Sequence, residues 1–195
     1  GAERGTSGVT WVVDPIDGTV NYAYGIPHYA VSIAAVSGEP TPEAWTAETG
    51  VVYTPVVDEL FHATRGGGAW LGSQRLAVST VADAGALLAT GFGYDPATHA
   101  GDLERVRRVM PPARDLRRAG AASLDLAFVA AGRLDGYFER GLRPWDHAAG
   151  ALLVTEAGGV VTGAPDGRSG GRPGREMTIA ANADLAARLS SAIYR

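Results

Sequence analysis

Apolar and polar positions along the chain follow two different rhythms. In the first half, short apolar runs are broken by turn residues. Trp11-Val12-Val13 runs into an Asp-Pro pair, which predicts a buried strand that stops there. Ala30–Val36 predicts a second apolar strand, and Gly50–Tyr53 with Glu59–Thr64 predicts a hairpin about Thr54-Pro55. Arg65-Gly66-Gly67-Gly68 marks a further turn. Together these segments predict an antiparallel first half.

The second half alternates. Strand-like runs at Ala86–Thr90, Arg114–Arg118, Leu134–Glu139 and Met177–Ala181 are separated by helical patterns. Thr98–Met110 reads as a helix, with Leu103, Val106 and Met110 at helical spacing. Ala121–Ala131 is an alanine-rich helix bracketed by Gly120 and Gly132. Trp145–Ala157 follows Pro144 and ends at Gly158-Gly159, and Asn182 caps a last helix. Such alternation belongs to α/β folds. The chain therefore predicts a layered α/β protein with mixed sheets. It divides into an antiparallel-sheet lobe over 1–84 and an α/β lobe over 85–195 that act as one functional unit.

Composition narrows this picture. The chain has 195 residues, 46% hydrophobic and 19% charged, which suits one core or two small lobes sharing an interface. No apolar run approaches the roughly 20 residues a membrane span needs. No basic start followed by an apolar leader is present, which points to the cytoplasm. With no cysteine, disulfides and thiolate metal sites are excluded. Net charge is −4, and the densest basic stretch, Arg114–Arg118, holds three arginines in five residues. That reads as a solvated strand or helix edge and makes nucleic acid an unlikely partner. Gly163–Gly174, rich in Gly, Arg and Pro, reads as an exposed loop. The chain begins at Gly1 and reaches a dense motif after thirteen residues, from which a missing N-terminal portion is expected.

That motif is Asp14-Pro15-Ile16-Asp17-Gly18-Thr19. Asp-Pro-x-Asp-Gly can neither continue a strand nor start a regular helix, so it forms a turn at the end of the buried strand. By itself it reads equally as an Asx turn made for local reasons. The apolar strand before it favours a second reading, because two carboxylates at a buried strand end require a cation or donors. Both carboxylates and the Ile16 carbonyl are hard oxygen ligands suited to Mg²⁺ or Ca²⁺. Gly18 allows close approach of a ligand, and a phosphate can sit on the N–H groups at Gly18 and Thr19. Asp146 opens the Trp145–Ala157 helix. It reads either as an N-cap or as a third carboxylate brought from a remote part of the chain to a two-metal site. His28, His62, His99 and His147 do not have the grouped spacing of metal ligands, and Trp45 and Trp70 read as packing residues.

Trp11-Val12-Val13 with Asp14-Pro15-Ile16-Asp17-Gly18-Thr19-Val20-Asn21-Tyr22 closely resembles the first signature of the inositol monophosphatase family. Trp145-Asp146-His147-Ala148-Ala149-Gly150 with Glu156-Ala157-Gly158-Gly159 resembles the second. Gly50–Pro55, Gly66–Ala69, Arg117–Ala122 and Asp135–Glu139 fall in line between them, so the resemblance covers essentially the whole chain.

The resemblance implies a sugar-phosphatase-like αβαβα sandwich whose N-terminal helical pair is missing here. It also implies Mg²⁺-dependent hydrolysis of a small phosphomonoester by a metal-activated water, foremost myo-inositol 1-phosphate. Two or three Mg²⁺ ions are implied, with Mn²⁺ or Ca²⁺ able to substitute, Li⁺ inhibition and a homodimer. Asp14 would bridge two ions, with the Ile16 carbonyl joining one and Asp17 and Asp146 the other. Gly18 and Thr19 would hold the phosphate, and the Thr19 hydroxyl would orient the attacking water. Gly120, Ala122 and Glu139 match positions that contact substrate hydroxyls, and Asp146 borders the substrate as well.

The chain also departs from the family. Its Gly-Glu-Glu motif, which supplies a metal-binding glutamate, lies upstream of where this chain begins, and Glu3 is not assigned that role. Ala121 stands where some members have Thr, and Arg118 where some have Ser. Both bear on the substrate. Histidinol phosphate or another sugar or nucleotide phosphate is the alternative substrate, and a non-catalytic regulatory or RNA-associated module is the alternative class.

Overall fold

A computed structural model of the chain describes residues 6–39, 41, 42, 44–81, 84–163 and 172–195. Most of the Gly163–Gly174 loop, and Glu3, lie outside the described residues.

The first half folds as a six-stranded antiparallel meander. Its strands are β1 (Val9–Asp17), β2 (Ala30–Ser37), β3 (Thr46–Thr54), β4 (Glu59–Thr64), β5 (Gly68–Leu71) and β6 (Gln74–Arg75), each paired to the next. A five-residue helix, α1 (Thr19–Ala23), leads from β1 towards β2. The second half forms a five-stranded sheet in the order β10-β11-β9-β7-β8. Here β7 (Ala86–Thr90) runs parallel to β8 (Ala113–Arg117) and to β9 (Gly136–Glu139). β11 (Thr178–Ala181) is antiparallel to β9 and to β10 (Val160–Thr162). The layered α/β architecture is as expected, with parallel pairing confined to the second sheet.

Helices α3 (Ala122–Ala130) and α4 (Pro144–Glu156) pack on each other and fill the space between the sheets. Their position explains their sequence. Eight of the nine residues of α3 are buried, because both flanks meet protein and no polar face is needed. The second sheet alternates in the manner of any strand between two layers. Ala89, Tyr137 and Ala180 join the core shared with α3, α4 and the first sheet. Leu88, Phe138 and Ile179 turn the other way, onto α2 (His99–Val109) and α5 (Ala183–Ile193). The amphipathic α5 buries Leu185, Leu189 and Ile193 there, and Asn182 caps it by accepting the Leu185 N–H at 2.9 Å.

The outer face of the first sheet carries no helix among the described residues. It presents Val9, Trp11, Val13 and Leu60 to solvent. No described helix is long and apolar enough to cross a membrane.

Two local expectations need correction, and one helix turns an unexpected face inward. β1 does not stop at Asp14. Asp14 pairs with Ser32 and Asp17 with Ala30, so one extra residue is bulged out and pairing then resumes. Pro15 sits in that bulge, where its missing N–H costs no ladder bond. Asp146 is not the N-cap of α4. The helix begins at Pro144, and Asp146 lies on the first turn, accepting the Arg143 N–H through Oδ2 at 2.7 Å. In α2 the buried residues are Asp102 and Val109, while Leu103 is 57% exposed and Met110 40%. The helix is rotated so that a carboxylate, not a leucine, points inward.

α4 lies so close to the first sheet that glycine is required at the contact. A Cβ on Gly50 of β3 would stand 2.9 Å from the Ala149 Cα, and one on Gly150 would stand 2.6 Å from the Leu126 Cβ of α3. Gly50→Ala should therefore lower stability by about 1–3 kcal/mol through overpacking against helix backbone. Urea denaturation checks this, and an unchanged midpoint would show that α4 can move away freely.

Candidate metal and substrate site

The bulge in β1 turns Asp14, Ile16 and Asp17 towards the N-terminus of α4. Carboxylate oxygens of Asp14, Asp17 and Asp146 lie within 4.8 Å of one another. They form one end of a cavity of about 660 Å³. Ile16, Gly18 and Thr19 line the same cavity, as do Gly120 and Ala122 from the turn into α3 and Glu139 at the end of β9. The structure thus brings every sequence-predicted site residue to one cavity.

Each acid is held differently. Asp14 Oδ1 accepts the Ile16 N–H at 3.1 Å, so the Asx turn and the acidic cluster are the same piece of chain. Asp17 Oδ2 accepts both the backbone N–H and the hydroxyl of Ser123, at 2.7 and 2.5 Å. Asp146 is oriented by the helix turn that begins at Arg143. Gly18 has φ 88°, and a Cβ there would meet the His28 carbonyl oxygen at 3.0 Å, so the tight step from β1 into α1 demands glycine. The Asn21 amide ties this step to the far side of the cavity by donating to the carbonyls of His28 (2.7 Å) and Ala119 (2.9 Å).

Crowding and burial govern the electrostatics. Desolvation pushes Asp17 up to about 6, with the Ser123 donors opposing it and the Asp14 charge adding to it. Desolvation likewise pushes Asp146 up to about 7 against the Arg143 N–H, and Asp17 and Asp14 raise it further. Asp14 is raised by burial, and the Ile16 N–H and a hydrogen bond with Asp146 act against this. Glu139 is pushed up to about 7 by desolvation, opposed by the Tyr137 hydroxyl that donates to Oε2 at 2.6 Å. Three acids that resist ionising together, with only oxygen donors around them, are the donor set a hard divalent cation fits.

Several participants escaped sequence reasoning. Ser123 grips Asp17 from inside an apolar helix, where nothing marks a serine as functional. Tyr137 supports Glu139 two positions on, and strand periodicity could have revealed that pair. A Cβ on Gly91 would stand 2.0 Å from Glu139 Oε2, so Gly91 makes room for that carboxylate. Asp125 is buried beneath the cavity and raised well above the usual carboxylate range by desolvation and by Glu139 and Asp17. Arg118 leaves the edge strand β8 and lines the cavity instead of only facing water. The histidines take no part in the acidic cluster: His62 and His99 bond to the Gly72 and Gly93 carbonyls, and His147 is buried against Trp45.

Two stacked sheets with a helical pair between them define a layered α/β protein, and the acidic cluster where a bulged strand meets a helix N-terminus is one that could hold a metal ion. The chain belongs to the inositol monophosphatase family, whose model matches residues 1–194. It is 51% identical over 157 residues to the Nus factor SuhB of Escherichia coli (strain K12), covering 79% of this chain and 56% of that protein. It is 47% identical over 173 residues to the inositol-1-monophosphatase of Rhizobium meliloti (strain 1021), covering 87% of this chain and 62% of that one. Among solved structures, the extragenic suppressor protein suhB of Bartonella henselae superposes with a TM-score of 0.86 at 42% identity, covering 97% of this chain and 71% of that one. The chain thus spans a little over half the length of these curated relatives.

Burial raises the Glu139 pKa from 4.5 to about 7 in the folded protein. Its contribution to stability is therefore present below pH 4.5 and is lost as pH rises through about 7. Glu139→Gln removes that loss while keeping an acceptor for Tyr137. In EDTA-treated protein, unfolding free energies at pH 4.5 and pH 8 should fall less in the variant than in the wild type, by roughly 2–3 kcal/mol. Parallel pH profiles would rule out the buried, protonated carboxyl.

Proposed function

We propose that this chain hydrolyses a small phosphomonoester with the help of divalent cations, Mg²⁺ first among them. The observation that carries this reading is the trio Asp14, Asp17 and Asp146 at one end of a cavity that also holds Glu139. Asp14, the Ile16 carbonyl, Asp17 and Asp146 hold the cations. When bound, these supply Lewis acidity towards the phosphoryl oxygens and offset the carboxylate charge. The N–H groups of Gly18 and Thr19 receive the phosphate, and the Thr19 hydroxyl orients the attacking water. Water adds to phosphorus as the ester P–O bond breaks, leaving inorganic phosphate and the alcohol. Gly120, Ala122 and Glu139 face the hydroxyls of the departing polyol. Inositol 1-phosphate is the first candidate, in keeping with the family and the Rhizobium relative's name. Histidinol phosphate and other sugar or nucleotide phosphates are the alternatives.

A second reading comes from the relatives named Nus factor SuhB. That name supports the reading of a regulatory or RNA-associated module, and it weakens the expectation that nucleic acid is no partner. Arg114, Arg117 and Arg118 give the β8 edge an exposed basic stretch, in which Arg117 is ion-paired with Asp115.

Phosphate release from a panel of phosphomonoesters, with and without Mg²⁺, tests the first reading. Wild type should release phosphate only with the metal. Asp17→Asn should lower the rate by at least about a hundredfold, since a lost ligand or misplaced charge at such a centre costs several kcal/mol. Undiminished Mg²⁺-dependent release in the variant would sink the proposed metal role. No release by wild type from any panel member would favour the binding-module reading, which a gel-shift assay with RNA then examines.

A further inference from the structure

Asp102 is a buried carboxylate that core packing does not explain. The sequence pattern of α2 would bury Leu103, yet Leu103 faces solvent and the Asp102 side chain is only 7% exposed. Its Oδ1 accepts from two guanidinium groups, Arg105 Nη1 at 3.0 Å and Arg140 Nε at 3.1 Å. One negative charge thus meets two positive ones, and the cluster keeps a surplus positive charge. Burying a carboxylate is costly, so a helix that spends an inward position on one is holding something in place.

What it holds is Arg140. This residue follows Glu139 directly, at the start of the loop from β9 to α4, and it lines the same cavity as the acidic trio. Asp102 takes its Nε. Among the described residues, neither terminal nitrogen of Arg140 has a hydrogen bond or ion pair. A guanidinium pinned at Nε, with its two terminal nitrogens free, presents a donor fork matched to a phosphate or carboxylate. Arg175 lies at the same wall. The Gly141 N–H donates to the Arg175 carbonyl at 2.8 Å, Arg175 also lines the cavity, and its side chain has no ion pair among the described residues. Neither arginine is bonded to Asp14, Asp17 or Asp146. The cavity therefore combines an acidic trio fit for cations with guanidinium groups fit for an anion, and the carboxylates of Asp95 and Glu176 line it as well.

We propose that Arg140, pinned by Asp102 and joined by Arg175, is a subsite for a second anionic group on the substrate. Small phosphomonoesters carrying a further phosphate or carboxylate are then preferred over matched esters without one. This rests on the phosphatase reading above, and it concerns a wall of the cavity which that reading leaves unused.

The test compares matched pairs on the whole chain with Mg²⁺: a hexose 1,6-bisphosphate against the hexose 1-phosphate, and 3-phosphoglycerate against glycerol 1-phosphate. A second anion should raise kcat/KM at least about tenfold, the worth of a charge-assisted hydrogen bond. The first pair reads a phosphate-selective fork and the second a carboxylate-selective one. Arg140→Leu should bring the ratio within each preferred pair close to one, mainly through KM. Arg140→Lys, which keeps a cation beside Asp102 and so guards against misfolding, should retain part of the preference. Equal kcat/KM within both pairs for the wild type, or a preference that survives Arg140→Leu, overturns the subsite. If no ester is hydrolysed, calorimetric binding of the same pairs with Ca²⁺ decides separately. A binding preference lost in Arg140→Leu upholds the subsite although the phosphatase reading has failed, and equal affinities overturn it.

Discussion

Three carboxylates drawn within 4.8 Å of one another and screened from water repel each other, and the fold has to hold them there regardless. Two come from a strand early in the chain and the third from a helix more than a hundred residues later. Each isolated charge in such a place would cost several kcal/mol without donors, a cation or a proton to share. Desolvation and mutual repulsion accordingly raise Asp17 and Asp146 above the usual carboxylate range. Almost every irregular feature around the cavity serves to keep the three acids together.

The bulge in β1 is the first of these features. It lets Asp14 and Asp17 both reach the cavity, although they lie three positions apart on a strand that would otherwise send them to opposite faces. Contact between α4 and the first sheet is the second. With only hydrogen at Gly50, the helix backbone comes close enough to bring Asp146 over the strand end. Ser123 is the third: its N–H and hydroxyl, from the first turn of α3, both grip one oxygen of Asp17, and the Ala122 N–H adds to the hold on this carboxylate. The helical pair between the sheets is therefore both the core of the protein and the frame of its site.

Beyond the acidic trio, the cavity also holds Glu139, supported by Tyr137 and given room by Gly91, and several arginines. The chain shares its family with SuhB proteins and inositol-1-monophosphatases, and its Asp cluster is one that could hold a metal ion. Arg118, Arg140, Arg143 and Arg175 line the same cavity, all but Arg143 on segments separate from those that carry the acidic trio.

Much of this was legible in the residue string. The strand before Asp14, the hairpin around Thr54-Pro55, the helix after Pro144 and the capping Asn182 all depend on short-range patterns, and short-range sterics and hydrogen bonding decide such elements. Asp14, Asp17, Asp146 and Glu139 could be named as partners because their motifs resemble those of a known family. The inward face of α2 could not be read. Its apolar spacing points to Leu103, but Arg140, thirty-eight residues away, claims Asp102 for the interior. Ser123 and Gly91 were equally silent, since a hydroxyl in an apolar helix and a glycine after a strand gain meaning only from what lies against them. The sequence by itself determined the elements and the types of ligand atom this protein carries. The tertiary structure decided which charges share a cavity, because electrostatic cost and close packing act through space between segments that no local pattern connects.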